Sequence, residues 1–412
     1  MTSRWPLVKS EVQGAILRHV RAEGTVTRGQ LVEALGVSRG KVSHEVGQLI
    51  SAGLLVEEGL ADPVGGRPSS LITIPRSAGV IAAVELGATS IDTALTTLGS
   101  EVIAHRGEPA DIRDGPDAIL GVVKQRLAEL LAAQPVSADE VMAIGIAVPG
   151  PVEHASDLPI APALMPGWHR SPIRNWFAGE YAAPVFVDNE VNLMALAEHR
   201  YGVGKGVDDL LFVKVGTGIG AGLIINGQLY RGANGAAGDI GHICVDPDGP
   251  TCPCGNVGCL GALAGARPML EQAKAAARDG RSPFLADAVA AGKDIDGLLM
   301  SEAVACGDRW AMSTLRTSGR LVGETVAGLV SALNPALIVV GGGVLHWGPG
   351  FLGELRSAVY HRSMPLATRS LPIVTSELDG RAGILGASLL AVEGALSPLE
   401  AAGRSSLQVL TG

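Results

Sequence analysis

Two stretches of this chain share one pattern of apolar segments and turns, and this internal repeat constrains the fold more than any other feature. The first stretch starts at Val80 and the second at Leu210. Each has an apolar segment, a Gly/Thr-rich turn, a second segment, a tight turn and a third segment. In the second stretch the tight turn is Asn226-Gly227, a strong hairpin signal between apolar segments. The repeat predicts two lobes of similar fold that face each other across a cleft.

Helical segments follow the predicted strands in both lobes. We expect helices at about 116–133 and 190–201 in the first lobe and at 302–333 in the second. Strands with intervening helices predict an α/β fold. The glycines at 216–220 and 341–343 form turns in which backbone N–H groups approach a phosphate, a base or a sugar.

Residues 11–60 predict a small DNA-binding head. A helix at 11–22 is followed by a second helix that Thr27 caps, and by a third helix, about 39–52, that Ser38 caps. A helix, a glycine-containing turn and a helix are typical of the helix-turn-helix. Two short strands around a Gly-Gly-Arg-Pro loop add a wing, so the segment predicts a winged helix-turn-helix.

The third helix of this head carries hydrogen-bond donors on its polar face. Arg39, Lys41, Ser43 and His44 are placed to contact base edges in the major groove, because the first turns of a recognition helix enter that groove. Arg67, at the tip of the wing, is placed to enter the minor groove. A small helical bundle with a solvated face would give the same helical pattern, but the wing favours DNA binding.

The bulk composition limits the class of protein. The chain has 412 residues, 47% of them hydrophobic, and a formal net charge of -9. Such a chain can bury a large core, and we expect three domains at 1–75, 76–200 and 201–412, with the last helix returning to the first lobe. It shows no apolar segment of membrane-spanning length and no signal peptide, so we expect a cytoplasmic protein without a membrane partner.

Four of the five cysteines lie within sixteen residues. Cys252, Cys254 and Cys259, together with His242, make a complete tetrahedral ligand set for zinc that leaves no position for water. The alternative, buried free cysteines, accounts poorly for this clustering. We therefore predict a structural zinc site, with Cys244 as a spare thiol.

Longer motifs connect these features to a known family. They are Gly145–Gly150, Pro162–Trp168, Asp188–Asn192, Val215–Gly222, Gly238–His242 and the CPCGNVGC sequence at 252–259. In these motifs the chain resembles the ROK family, which comprises sugar kinases and sugar-responsive repressors. The resemblance covers nearly the whole chain, and it implies a duplicated, ribonuclease H-like body of the actin/hexokinase type. The winged head marks the repressor branch.

The resemblance also implies a sugar pocket. The matching positions are Gly150, Asn189, Glu190, Asp239 and His242. One ring nitrogen of His242 would bind zinc while the other donates to a sugar oxygen. Asp239 stands where relatives usually carry Glu, so we expect a pentose, a larger saccharide or a phosphorylated sugar. A decayed pocket that binds nothing is the alternative.

Three further positions depart from the pattern of the kinases. Glu190 replaces the Asp that acts as catalytic base, Glu85 replaces an Asp of the first phosphate loop, and Ala88 replaces a Gly. All three changes affect phosphoryl transfer, which depends on precise positioning. The resemblance therefore implies a protein without catalytic residues, in which kinase activity is lost or feeble.

These observations together predict a sugar-responsive transcriptional regulator, most simply a repressor, that binds a palindromic operator as a homodimer or tetramer. The alternatives are a working sugar kinase with a DNA-binding head and a DNA-binding protein that has no ligand.

Overall fold

A computed structural model describes residues 7–61, 69–160 and 163–398. The helices are, in chain order, α1 (Glu11–Glu23), α2 (Arg28–Leu35), α3 (Arg39–Ser51), α4 (Pro116–Ala132), α5 (Glu190–Tyr201), α6 (Leu260–Ala264), α7 (Ala266–Arg278), α8 (Pro283–Ala290), α9 (Gly297–Ala305), α10 (Arg309–Leu333), α11 (Gly350–Arg362), α12 (Pro365–Thr368) and α13 (Ala382–Ala395). The strands are β1 (Thr25–Thr27), β2 (Val56–Leu60), β3 (Ser70–Thr73), β4 (Val80–Leu86), β5 (Ser90–Thr97), β6 (Val102–Pro109), β7 (Val141–Val148), β8 (Val152–Glu153), β9 (Leu158–Pro159), β10 (Val185–Asn189), β11 (Leu210–Val215), β12 (Ile219–Ile225), β13 (Gln228–Tyr230), β14 (Leu337–Gly341) and β15 (Ile373–Thr375).

The chain divides into two compact units. The first contains Met1–Val148, Arg170–Asp188 and Ile384–Gly412, and the second contains Pro149–His169 and Asn189–Gly383. These units do not coincide with the three predicted ranges, because the head groups with the first lobe and α5 groups with the second. The close approach of α5 to β12 depends on Gly222, where an added Cβ would contact Ala195 and the Val191 backbone. The predicted division at 75/76 and 200/201 stays a prediction about independently folding segments.

The head has the predicted winged helix-turn-helix arrangement. Its side-chain caps are local: Ser10 accepts from the N–H of Gln13, Ser38 accepts from the N–H of Lys41, and Thr27 forms a capping box with Gln30. The three strands form a sheet in the order β1-β3-β2. The tip of the wing, with Arg67, lies outside the described residues.

The apolar core of the head continues into the first lobe. Ile16, Leu17 and Val46 of the head belong to the same buried cluster as Met142 of β7 and Val392 of α13. The last helix therefore joins the head to the first sheet within one continuous core.

Polar contacts reinforce this packing. Glu393 of α13 accepts from Arg18 at 2.9 Å and from Arg21 at 2.6 Å, and the Arg21 side chain is only 3% exposed. Gly14 of α1 faces the carbonyl oxygen of Leu396, which a Cβ would overlap.

The two large sheets have the same topology, which confirms the predicted duplicated α/β fold. Their strand orders are β10-β7-β4-β5-β6 in the first unit and β15-β14-β11-β12-β13 in the second. In each, a three-stranded antiparallel meander is extended by strands on its first edge, with β4 parallel to β7 and β11 parallel to β14.

One predicted helix proved wrong. The sequence predicted a single helix at 302–333, whereas the structure has α9 and α10 separated by a turn at 306–308. Asp308 explains the break, since its side chain accepts from the N–H of Ala311 and so starts α10.

In the part of the chain described, no helix has both the length and the apolar character needed to cross a membrane.

The packing of α1 on the end of α13 can be tested with matched glycine substitutions. Gly14→Ala places a methyl group against Leu396, and we expect it to lower the free energy of unfolding by about 1–3 kcal/mol because the contact is already closed. Gly121→Ala in α4 meets nothing within 4 Å and should stabilise the protein by up to about 1 kcal/mol. Urea unfolding curves of both variants provide the measurement; equal stabilities would contradict the described packing.

Candidate functional site

Four metal-ligand side chains converge in the second unit. They are His242, Cys252, Cys254 and Cys259, whose ligand atoms all lie within 4.8 Å of one another. Cys252 Sγ is 3.5 Å from His242 Nδ1, and Cys254 Sγ is 3.7 Å from Cys259 Sγ. These four residues could hold a metal ion. Cys244 is exposed and does not belong to the cluster.

The crowding of the thiols affects their ionisation. Burial, together with the neighbouring Cys254 and Cys252, raises the pKa of Cys259 to about 12. A thiolate at this position therefore needs a nearby positive charge, and a bound metal ion would supply one.

Backbone turns shape this cluster. Gly258 has a φ of 66° and lies against the carbonyl oxygen of Asp246, where a Cβ could not fit. The chain can therefore fold back so that Cys259 reaches the other ligands and then begins α6.

Asn189 connects two segments of the predicted sugar pocket. Its Nδ2 donates to the carbonyl oxygen of Gly150 at 2.9 Å, and its Oδ1 accepts from the N–H groups of Val191 and Asn192 at 2.9 and 3.3 Å. Asn189 is thus the N-cap of α5, and it also holds the loop at Gly150.

Glu190, the first residue of α5, is buried and forms an ion pair. Its Oε2 lies 2.6 Å from Nζ of Lys214, and the two side chains are 10% and 19% exposed. The sequence analysis missed Lys214. The available signal was its position as the one charged residue in the apolar segment 210–215.

Asp239 and His242 stand side by side next to the metal-ligand cluster. Nε2 of His242 is 3.9 Å from Oδ1 of Asp239, while Nδ1 faces Cys252. Desolvation raises the pKa of the Asp239 carboxyl, and the neighbouring His242 opposes this shift. The ring of His242 therefore has one nitrogen directed to the cluster and the other toward Asp239.

All five predicted sugar contacts, including Gly150 and Asn189, belong to the second unit. The two altered kinase positions, Glu85 and Ala88, belong to the first. Ala88 accepts a backbone hydrogen bond from Ile112 at 3.2 Å.

The predicted DNA-contacting residues of α3 are exposed. This holds for Arg39, Lys41, Ser43 and His44. Lys41 Nζ is also 2.6 Å from Oε1 of Glu45, and its hydrogen bond to that carboxylate is the main reason that the pKa of Glu45 is lowered.

Below the exposed face, a buried polar group fixes the orientation of α3. Gln13 of α1 donates to Glu45 and to Gln48, each at 2.8 Å. These contacts attach α3 to α1, and the sequence analysis did not anticipate them.

Comparisons with known proteins identify the family of this chain. The model of the ROK family matches residues 81–393. A putative xylose repressor of Caldicellulosiruptor sp. is 31% identical over 392 residues, which are 95% of this chain and 98% of that protein. A crystallised ROK family transcriptional regulator, described as a homolog of the E. coli MLC protein, has a TM-score of 0.80 at 24% identity and covers 96% of this chain and 98% of its own. A Streptomyces griseus ROK glucokinase, solved with glucose and AMPPNP, has a TM-score of 0.68 at 28% identity and covers 77% of this chain and 100% of its own. The chain belongs to the ROK family.

Proposed function

We propose that this protein is a sugar-responsive transcriptional repressor that binds operator DNA as a homodimer or tetramer. The observation that carries the proposal is the winged helix-turn-helix, whose core is continuous with the first lobe of a sugar-kinase fold. The similarity to a putative xylose repressor over almost the whole of both chains supports it.

In this proposal the head reads DNA through α3 and the wing. Arg39 forms no ion pair within the described residues, so its guanidinium is available for a base or a phosphate. Lys41 is held by Glu45 and would present its ammonium group in a fixed place. Ser43 and His44 lie on the same exposed face, and Arg67 would contact the minor groove.

The second unit would bind the effector. Asn189, Glu190, Asp239 and His242 offer donors and acceptors for sugar hydroxyls, and Asn189 holds the neighbouring loop at Gly150. We propose that the sugar binds more tightly to a conformation that has low affinity for DNA, so that sugar binding releases the head from the operator.

Kinase activity would be lost. Glu190 is already paired with an ammonium group at 2.6 Å, which competes with a sugar hydroxyl for the carboxylate oxygen that would have to take its proton. The changes at Glu85 and Ala88 add to this. The similarity to a glucokinase keeps an active sugar kinase as the second candidate.

The metal of the His242 cluster would be a structural zinc ion. In a tetrahedral zinc site, sulfur ligands lie about 2.3 Å and nitrogen ligands about 2.0 Å from the metal. At these bond lengths two sulfur ligands are roughly 3.8 Å apart, and a sulfur and a nitrogen ligand are roughly 3.5 Å apart. The observed separations of 3.7 and 3.5 Å fit this arrangement. Bound zinc would orient His242 through Nδ1 and leave Nε2 for a sugar oxygen.

DNA binding can be tested with duplexes that the wild-type protein selects from a random pool. Arg39→Ala should weaken binding about tenfold or more, because a lost base or phosphate contact costs about 1–3 kcal/mol. Arg278→Ala removes an exposed arginine from α7 and should leave the affinity unchanged. Fluorescence anisotropy gives both constants.

Release of DNA from the same protein–DNA complex identifies the effector sugar. D-xylose, D-glucose or N-acetylglucosamine, added to the wild-type complex, should release the DNA in at least one case. Equal affinities of the two arginine variants would contradict the assignment of α3, and a complex that withstands a wide sugar panel would contradict sugar control.

An assay of sugar phosphorylation tests the second candidate function, an active sugar kinase. With ATP, magnesium and the same sugars, we expect no ADP above the sugar-free background, while a ROK glucokinase in parallel reactions forms ADP readily. The physical reason is the ion-paired carboxylate at position 190. Sugar-dependent ADP formation at a rate near that of the glucokinase would favour the enzyme over the repressor.

Zinc content tests the metal site. We expect about one zinc per chain by mass spectrometry of metals, and Cys259→Ser should lose most of it because the closed four-ligand set is broken. Cys306→Ser changes an exposed cysteine outside the cluster and is the matched control. A zinc content that Cys259→Ser leaves unchanged would refute the site.

A further inference from the structure

A series of hydrogen bonds runs from the buried start of α1 to the exposed face of α3. Gln13, which is only 3% exposed, donates from Nε2 to Oε2 of Glu45 and to Oε1 of Gln48, each at 2.8 Å. Its Oε1 accepts from the backbone N–H of Lys9 at 2.7 Å. Gln48 extends the series to the surface, where its Nε2 lies 3.0 Å from Nε2 of His44. The series therefore ends on the imidazole ring of His44.

The carboxylate in this series fixes the direction of every bond. Oε1 of Glu45 lies 2.6 Å from Nζ of Lys41, whose hydrogen bond lowers the pKa of Glu45. The ionised carboxylate can only accept, so Gln13 must turn its NH2 group toward it. The same NH2 group faces Gln48, which must therefore present its carbonyl oxygen to Gln13 and its own NH2 group to His44. The opposite orientation of either amide would place two donors or two acceptors against each other.

We propose that this series fixes His44 as the neutral tautomer with its proton on Nδ1, so that the ring presents a single donor to an acceptor of the DNA. Nε2 of His44 accepts an N–H of Gln48 and therefore carries no proton of its own. Nδ1 has no partner among the described residues, and the ring is exposed. The acceptor is N7 of a purine or an oxygen of a phosphate. The inference rests on the proposed function, because it concerns the DNA that α3 would contact.

A fixed tautomer restricts the groups that this position can recognise. In the major groove purines present N7 as an acceptor, whereas cytosine presents an amino group as a donor. An Nδ1–H group can donate to N7 or to a phosphate oxygen, but it would oppose the amino group of cytosine. A ring free to take either tautomer could bind both kinds of group. Gln13, Glu45 and Gln48 are thus positioning residues, which act on the DNA through His44.

The tautomer can be measured without DNA. Magic-angle-spinning NMR of the full-length protein, isotopically labelled only at histidine, distinguishes a protonated Nδ1 from a protonated Nε2. The signal of His44 is the one that His44→Asn lacks. In mildly alkaline buffer, where imidazole is neutral, we expect the proton of the wild-type ring on Nδ1.

One isosteric variant should reverse this state. Gln48→Glu keeps the shape of the side chain but offers only acceptor oxygens, so a proton should move to Nε2 of His44. Gln272→Glu makes the same change at an exposed position of α7 and should leave the His44 signal unchanged. His44 and Gln48 are both exposed, so we expect their variants to fold with a Tm close to that of the wild type. A wild-type ring with its proton on Nε2 would overturn the inference, and so would a Gln48→Glu ring that keeps its proton on Nδ1 alone.

DNA with altered acceptors tests the contact, using duplexes that the wild-type protein selects from a random pool. Replacement of single purines by their 7-deaza analogues, which lack the N7 acceptor, should weaken wild-type binding about tenfold at one position. The same replacement should change the affinity of His44→Ala less than about twofold, because the donor is already missing. If the acceptor is a phosphate, a neutral methylphosphonate linkage gives this difference between the two proteins instead.

The outcomes are distinguishable from those of the proposed function. If the wild type selects no duplex, the proposed DNA binding fails, and the NMR measurement still decides which ring nitrogen the hydrogen bonds leave protonated. If the wild type binds DNA but every altered acceptor affects it and His44→Ala equally, the proposed contact of His44 is wrong while the proposed function stands.

Discussion

The packing of α13 against both the first sheet and the head is the interaction on which the first unit depends. This helix comes from the end of the described chain, and its Glu393 lies 375 positions from Arg18, with which it pairs. Gly145 of β7 gives it room, because a Cβ there would overlap the carbonyl oxygen of Ala387. Just beyond the C-terminal end of α13, Gly14 of α1 leaves room for Leu396, because a Cβ on Gly14 would overlap the Leu396 carbonyl oxygen. The winged helix-turn-helix head is therefore packed into the core of the first lobe and is not attached to it by a linker alone.

This arrangement has a consequence for regulation. Within the first unit, a displacement of α13 relative to β7 must also disturb α1, since both are parts of one close-packed core. From α1 the hydrogen bonds of Gln13 lead to Glu45 and Gln48 of α3. A contiguous set of packed and hydrogen-bonded groups thus connects the first sheet to the surface proposed to read DNA, which is the kind of physical coupling that such a regulator requires.

Most of the fold could be predicted because its signals are local or repeated. The duplicated strand and glycine-turn pattern gave the two sheets, and the Ser38 and Thr27 caps located the helices of the head. The spacing of His242 and of the cysteines at 252–259 was enough to predict a metal-ligand cluster. The contacts of Lys214 with Glu190, and of Gln13 with Glu45, join residues far apart in sequence. Single polar residues within apolar segments give no indication of their partners, so such pairs need the three-dimensional structure.

In the candidate site, two adjacent residues, Asn189 and Glu190, make contacts of different kinds. Asn189 caps α5 and holds the loop at Gly150, so one side chain fixes the backbone of both segments of the proposed sugar pocket. Glu190, the next residue, reaches Lys214 and forms an ion pair with it in a largely buried position. In the proposed function, sugar binding would depend on the backbone that Asn189 holds, whereas proton transfer would depend on the carboxylate that pairs with Lys214.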